Sequence, residues 1–230
     1  MTLRGAGLAE AGLGLAIIHR APVSLHSLYR TVAPYFDRTA PIWRNWLFRD
    51  ANAAFEKALI RYVQPGAAIL DLGCGTGANL ELLLRLELPF GSYAGVDSSE
   101  AMLNEARKKS DLPAVSWYNL DLETDRLPED DFDLVISTWA FEHLKDVTEV
   151  VNKAWEGLKP GGRMLLLFET RSKSWQGSVA DWAWGFFSTH LVREEEYRHF
   201  PGIISIEHFH LAGAPPVLIT IRKPVKNGYG

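Results

Sequence analysis

The stretch Ile69-Leu70-Asp71-Leu72-Gly73-Cys74-Gly75-Thr76-Gly77 constrains this chain more than any other. The apolar run Ala67 to Leu70 reads as a buried strand, the glycines as a tight turn, and Ala78 to Leu86 as a helix. A strand that breaks through glycines into a helix is the opening unit of a doubly wound nucleotide-binding sheet. Glycine permits the sharp turn and lets a ligand approach main-chain N–H groups with no Cβ in the way.

Regular alternation follows. Tyr93 to Asp97, Val115 to Tyr118, Phe132 to Ser137 and Arg163 to Phe168 read as further strands. Ser98-Ser99-Glu100 opens a helix with hydroxyl caps and an acid in its first turn. Val147, Val150, Val151, Ala154, Trp155 and Leu158 form one helical stripe, which Lys159-Pro160-Gly161-Gly162 is expected to end. Such alternation specifies a parallel sheet with helices on both faces. Ile203 to His210 and Val217 to Arg222 depart from it and read as a terminal hairpin. The expected fold is α/β: a doubly wound, seven-stranded, mainly parallel sheet with an antiparallel terminal hairpin.

Before the sheet, residues 24–64 read as a helical cap, with Ser24 to Tyr35 and Trp43 to Tyr62 as helices around Pro41. Residues 1–23 read as a flexible leader. Its apolar run beside Glu10 lacks the basic flank and cleavage site of a signal peptide, though affinity for a membrane surface suits it. The body of the domain is then 65–225. Within it, residues 171–200 hold Trp175, Trp182, Trp184, Phe186 and Phe187, either a helix packed on the sheet or an aromatic lid over an apolar acceptor.

Composition narrows the partners. A net charge of −4 over 230 residues gives no electrostatic reason to expect nucleic acid. One cysteine, Cys74, rules out a disulfide framework within the chain and fits a cytoplasmic protein. It reads as a small filler rather than a nucleophile. His208 and His210, with His190 and His199 upstream, have no carboxylate or thiol at metal-site spacing, so no metal is expected.

Gly73, Gly75 and Ala78 fit the dinucleotide fingerprint, which alone favours a nicotinamide or flavin. Asp71 points elsewhere, because a carboxylate there repels a pyrophosphate and suits an ammonium or sulfonium group. Asp97, twenty residues after Gly77, ends the second strand where an acid accepts both ribose hydroxyls of an adenosine ligand; a plain helix cap is the alternative to that preferred reading.

With Asp71 before Gly73, Gly75 and Gly77, the loop resembles motif I of the class I S-adenosylmethionine-dependent methyltransferases, D-x-G-x-G-x-G. Asn119-Leu120-Asp121-Leu122-Glu123, Phe132 to Ser137 and Leu158-Lys159-Pro160-Gly161-Gly162 match later motifs of that family in order. The resemblance is to its quinone- and phospholipid-methylating members, and Tyr29 to Asp37 loosely matches their Y-x-x-x-A-x-x-Y-D lead-in. It implies S-adenosyl-L-methionine as cofactor, held by Asp71, Gly73, Gly75, Gly77, Asp97 and Ser98, with Ser137, Tyr29 and Tyr35 nearby. It also implies that Asp121 accepts from the adenine amino group while the Leu122 amide meets the ring. His143 and Glu142, just beyond the fourth strand, are the candidate bases; both also read as ordinary structural residues. The acceptor implied is small and apolar or amphipathic, a lipid, quinol or similar. A nicotinamide oxidoreductase and a non-catalytic adenosine-binding regulator remain as alternatives. The chain has no Tyr-x-x-x-Lys pair for the first.

Overall fold

The computed structural model describes residues 47–129, 131–171, 191–211 and 214–225. The leader, most of the expected cap with Tyr29 and Tyr35, and the aromatic stretch from Trp175 to Phe187 lie outside the described residues.

Seven strands form one sheet: β1 (Ala67–Leu72), β2 (Phe90–Asp97), β3 (Val115–Asn119), β4 (Phe132–Thr138), β5 (Leu158–Glu169), β6 (Ile203–His208) and β7 (Pro216–Arg222). Their spatial order is β3-β2-β1-β4-β5-β7-β6. β1 to β5 pair in parallel, and β7 runs antiparallel to both β5 and β6. The chain winds outward from β1 to β3, then returns to place β4 against the other side of β1. That reversal opens a crevice beyond the carboxyl ends of β1 and β4, where ligands bind in open α/β sheets.

Strand alternation divides the core in two. Ile69, Leu134, Ile136, Leu165 and Leu167 face α1 (Arg49–Tyr62) and α2 (Ala78–Arg85), meeting Phe55, Leu59, Leu80 and Leu83. Leu70, Val135, Leu166 and Phe168 face the opposite way, against Val147, Val150, Val151 and Ala154 of α4 (Val147–Glu156). Both faces are covered, which is why these strands read as continuous apolar runs. α3 (Glu100–Arg107) and the short α5 (Glu194–Tyr197) complete the helices among the described residues.

Two boundaries differ from expectation. α4 stops at Glu156, and Leu158 already pairs with Phe132 as the first residue of β5. The Lys159-Pro160-Gly161-Gly162 stretch does not end the helix; it bulges within the strand, since the next pairing is Leu134 with Arg163. Lys159 Nζ meets Asp133 at 2.8 Å across this bulge. β6 ends at His208, two residues short of His210.

Candidate functional site

β1 runs two residues further than its apolar content suggests, through Asp71 and Leu72. Strand parity then sends Asp71 to the same face as Ile69, under α2. Its carboxylate is fully buried, accepting from Asn79 Nδ2 at 3.0 and 3.1 Å and from Tyr93 Oη at 2.5 Å. Burial pushes its pKa up to about 7, against the lowering effect of the Tyr93 and Asn79 hydrogen bonds, and the Asp97 charge adds to the rise. The expectation that Asp71 faces a ligand directly is corrected: it lies beneath the loop rather than on the cleft wall.

The loop itself is shaped by close packing. Gly73 has φ +69°, and a Cβ there would come within 2.4 Å of Ala140 Cβ. Gly75 has φ +54° with open space where its Cβ would stand, so its backbone borders the cleft directly. Gly77 is the N-cap residue of α2, against Trp117, and does not line the cleft.

At the end of β2, Asp97 spans two backbone donors. Its Oδ2 accepts from Gly75 N–H at 2.9 Å and its Oδ1 from Ser99 N–H at 2.8 Å. Ser99 is the true cap of α3, accepting from Met102 N–H through its hydroxyl. Asp97 is thereby fixed across the mouth of the glycine loop. A carboxylate has about four acceptor sites, a number that suits a group accepting from several donors at once.

A cleft of about 520 Å³ joins these parts. Of the residues expected from sequence, Gly73, Gly75, Asp97, Ser98, Asp121, Leu122 and His143 line it. Asp121 is committed locally: its Oδ1 accepts from Glu123 N–H at 2.8 Å, and its own N–H donates to Asp125 at 2.9 Å. Lys153 holds this turn from α4, donating to the carbonyls of Leu122 and Glu123.

Two further expected residues lie elsewhere. Ser137 is buried and donates to the Leu72 carbonyl at 2.8 Å; strand alternation gives the cleft to Thr138 instead. Glu142 is buried in the three-residue turn Phe141–His143, whose tight winding sends adjacent side chains in different directions, so it is His143 that reaches the cleft. Burial lowers the His143 pKa to about 4, leaving the imidazole neutral at neutral pH. It is a weak base.

Several lining residues were not singled out from sequence: Thr138, Trp139, Asn119, Glu123 and Asp125. Trp139 has φ +57°, uncommon for so large a side chain, and packs 4.4 Å from the Phe48 ring. Only strand parity beyond Ser137 could have pointed to Thr138. Cys74 borders the cleft, but burial, with the charges of Asp71 and Asp97, pushes its thiol well up, so no thiolate is available. Among the described residues no three His, Cys, Asp or Glu side chains gather as a metal site, and no helix is long and apolar enough to cross a membrane.

Residues 69–162 match the family model described as a methyltransferase domain. Trans-aconitate 2-methyltransferase of Deinococcus radiodurans is 36% identical over 117 residues, covering 50% of this chain and 43% of its own. The 2-phytyl-1,4-naphtoquinone methyltransferase of Synechococcus elongatus is 26% identical over 153 residues, 64% of each chain. The chain spans less than two thirds of the length of the curated relatives it matches. Among solved structures, the N-methyltransferase NodS of Bradyrhizobium japonicum, in complex with S-adenosyl-L-homocysteine, superposes with a TM-score of 0.61 at 16% identity, covering 85% of this chain and 98% of that one. Residues 69–162 are thus similar to a methyltransferase domain, and the sheet that contains them has the fold of solved methyltransferases.

Proposed function

We propose that this protein transfers a methyl group from S-adenosyl-L-methionine to a small, apolar or amphipathic acceptor such as a lipid or quinol. The observation that carries the cofactor is Asp97, pinned between the Gly75 and Ser99 amides at the mouth of the cleft. A carboxylate placed there, at the end of the second strand, suits the vicinal diol of an adenosine ligand. Charge supports the same ligand. The cleft wall carries Asp97, Asp121, Glu123 and Asp125, with neither lysine nor arginine among its lining residues. Such a wall favours a ligand with cationic groups and disfavours the pyrophosphate of a nicotinamide cofactor.

S-adenosylmethionine supplies a methyl group already activated by its sulfonium. What remains for the protein is to hold the acceptor in line and keep water out. Gly73 and Gly75 keep the loop backbone close to the cleft, and Trp139, backed by Phe48, forms an apolar wall beyond β4. His143, neutral but weakly basic, is suited to an acceptor that needs little help in losing a proton.

The apolar acceptor is supported by one relative, the naphtoquinone enzyme above, and by the tryptophan-rich composition of residues 171–200. The trans-aconitate enzyme sets the competing class, a small soluble acid. Transfer of labelled methyl from S-adenosylmethionine to an isoprenoid quinol, a phospholipid vesicle and trans-aconitate separates them. Labelling of a quinol or lipid supports the proposal, and labelling of the acid alone overturns its acceptor half.

A further inference from the structure

Arg163 of β5 and Arg222 of β7 stand directly opposite each other in an antiparallel pair. Residues in that relation point to the same side of the sheet. Here it is the side covered by α1, because Leu165, Leu167 and Leu218, which share their strand parity, pack there. Two like charges so placed repel and destabilise the pair. A carboxylate between them would remove that cost. Their other neighbours on the sheet are Leu134, beside Arg163, and Gly202, whose carbonyl accepts the Arg222 N–H. Asp133 is taken by the Ala68 N–H and Lys159, and Glu56 of α1 by Arg85. Among the described residues neither guanidinium makes an ion pair or a side-chain hydrogen bond.

For the exposed Arg222, water is partner enough. Arg163 is placed differently. It is half-buried, its guanidinium carbon lies 4.7 Å from the centroid of the Tyr62 ring, and its Nε is buried with no acceptor. Stacking on the ring holds the planar fork in one orientation. A charge is thus held partly out of water with nothing on the chain to compensate it. An oxyanion across both forks offsets this cost and the repulsion together. One fork fills the two oxygens of a carboxylate, whereas a phosphate has oxygens for two.

We propose that Arg163 and Arg222 form a phosphate-binding site, with Tyr62 fixing the first guanidinium. The site lies away from the cleft: β4 rises roughly 13 Å between Leu134, beside Arg163, and Thr138, on the cleft wall. It does not depend on the methyl-transfer reading. The phosphate belongs to a small soluble ester or to a lipid headgroup, which the two forks would recognise alike.

Two measurements on the full chain test the site in wild type, Arg163→Gln and Arg222→Gln. One is calorimetric titration with inorganic phosphate at constant ionic strength. The other is co-flotation with phosphatidylcholine vesicles that contain or lack phosphatidylglycerol. Loss of either fork should weaken binding about ten-fold or more. Arg222 is exposed, so Arg222→Gln should fold as wild type does, and it decides the outcome if Arg163→Gln does not fold. Phosphate binding without flotation identifies a soluble ester. Flotation that needs both phosphatidylglycerol and Arg222 identifies a headgroup, and either result supports the site. Binding that Arg222→Gln leaves unchanged, or no binding of phosphate or vesicles by wild type, overturns it.

Discussion

Tyr93 Oη lies 2.5 Å from Asp71 Oδ2, in a wholly buried contact between the second and first strands of the sheet. A carboxyl group this deep is costly to ionise, and the Tyr93 and Asn79 donors offset only part of that cost. The residue that opens the glycine motif is thus a buried anchor for the loop rather than a contact on the cleft wall.

Asp71 should therefore make folding stability depend on pH in an uncommon direction. Its folded pKa, about 7, lies above the ordinary 3.8. The folded state binds the extra proton between those values, so this contribution is fully present below pH 3.8 and is lost as pH rises through 7. Asp71→Asn cannot titrate. Its stability relative to wild type should grow by about 1.4 kcal/mol for each pH unit in that window and level off above it. Urea unfolding of both proteins from pH 5 to pH 8 checks this. A difference that does not change with pH contradicts it.

His143 acts in the opposite sense over the same range. Its folded pKa, about 4, lies below the ordinary 6.5, so the unfolded state takes up the proton first. The contribution is present above pH 6.5 and is lost as pH falls toward 4. His143→Gln should be less acid-sensitive than wild type between those values, by unfolding midpoints at pH 7 and pH 5. Equal acid sensitivity would show an imidazole in ordinary contact with water.

Gly73 and Gly75 should fail differently. Gly73→Ala meets both an unfavourable φ and the Ala140 side chain at 2.4 Å, so it should cost about 2 kcal/mol or more of stability. Gly75→Ala meets only the φ penalty, about 1 kcal/mol, because its Cβ enters open space. That space is the cleft, so Gly75→Ala should lose cofactor affinity out of proportion to its stability. Thermal unfolding and calorimetry on the pair separate the effects; matched losses of affinity would contradict this division.

Much of the sheet was legible because both of its faces are covered. Strands such as Leu134-Val135-Ile136 and Met164 to Phe168 are apolar on both sides and stand out between helices. The seven-stranded mainly parallel sheet with an antiparallel end follows from that alternation. Boundaries were harder to read. An acid inside a buried strand looks like the start of a turn, so β1 seemed to stop at Leu70 and Asp71 seemed to face the ligand. Lys159-Pro160-Gly161-Gly162 looked like a helix stop because proline and glycine usually punctuate elements, whereas here they bulge within β5. Glu142 and His143 are adjacent in sequence, and only the local winding decides which one reaches the cleft. Trp139 carried no sequence signal, since its left-handed backbone is imposed by the packing of Phe48 and the Leu167 carbonyl that accepts its N–H.

The position of Asp97 bears on the account most directly. Calorimetric titration of wild type and Asp97→Ala with S-adenosylmethionine, S-adenosylhomocysteine and NADH tests it in one experiment. The first two ligands should bind wild type, NADH should not, and Asp97→Ala should weaken both by about ten-fold or more through loss of the charged acceptor. Binding of NADH alone, or S-adenosylmethionine affinity indifferent to Asp97, would contradict the account.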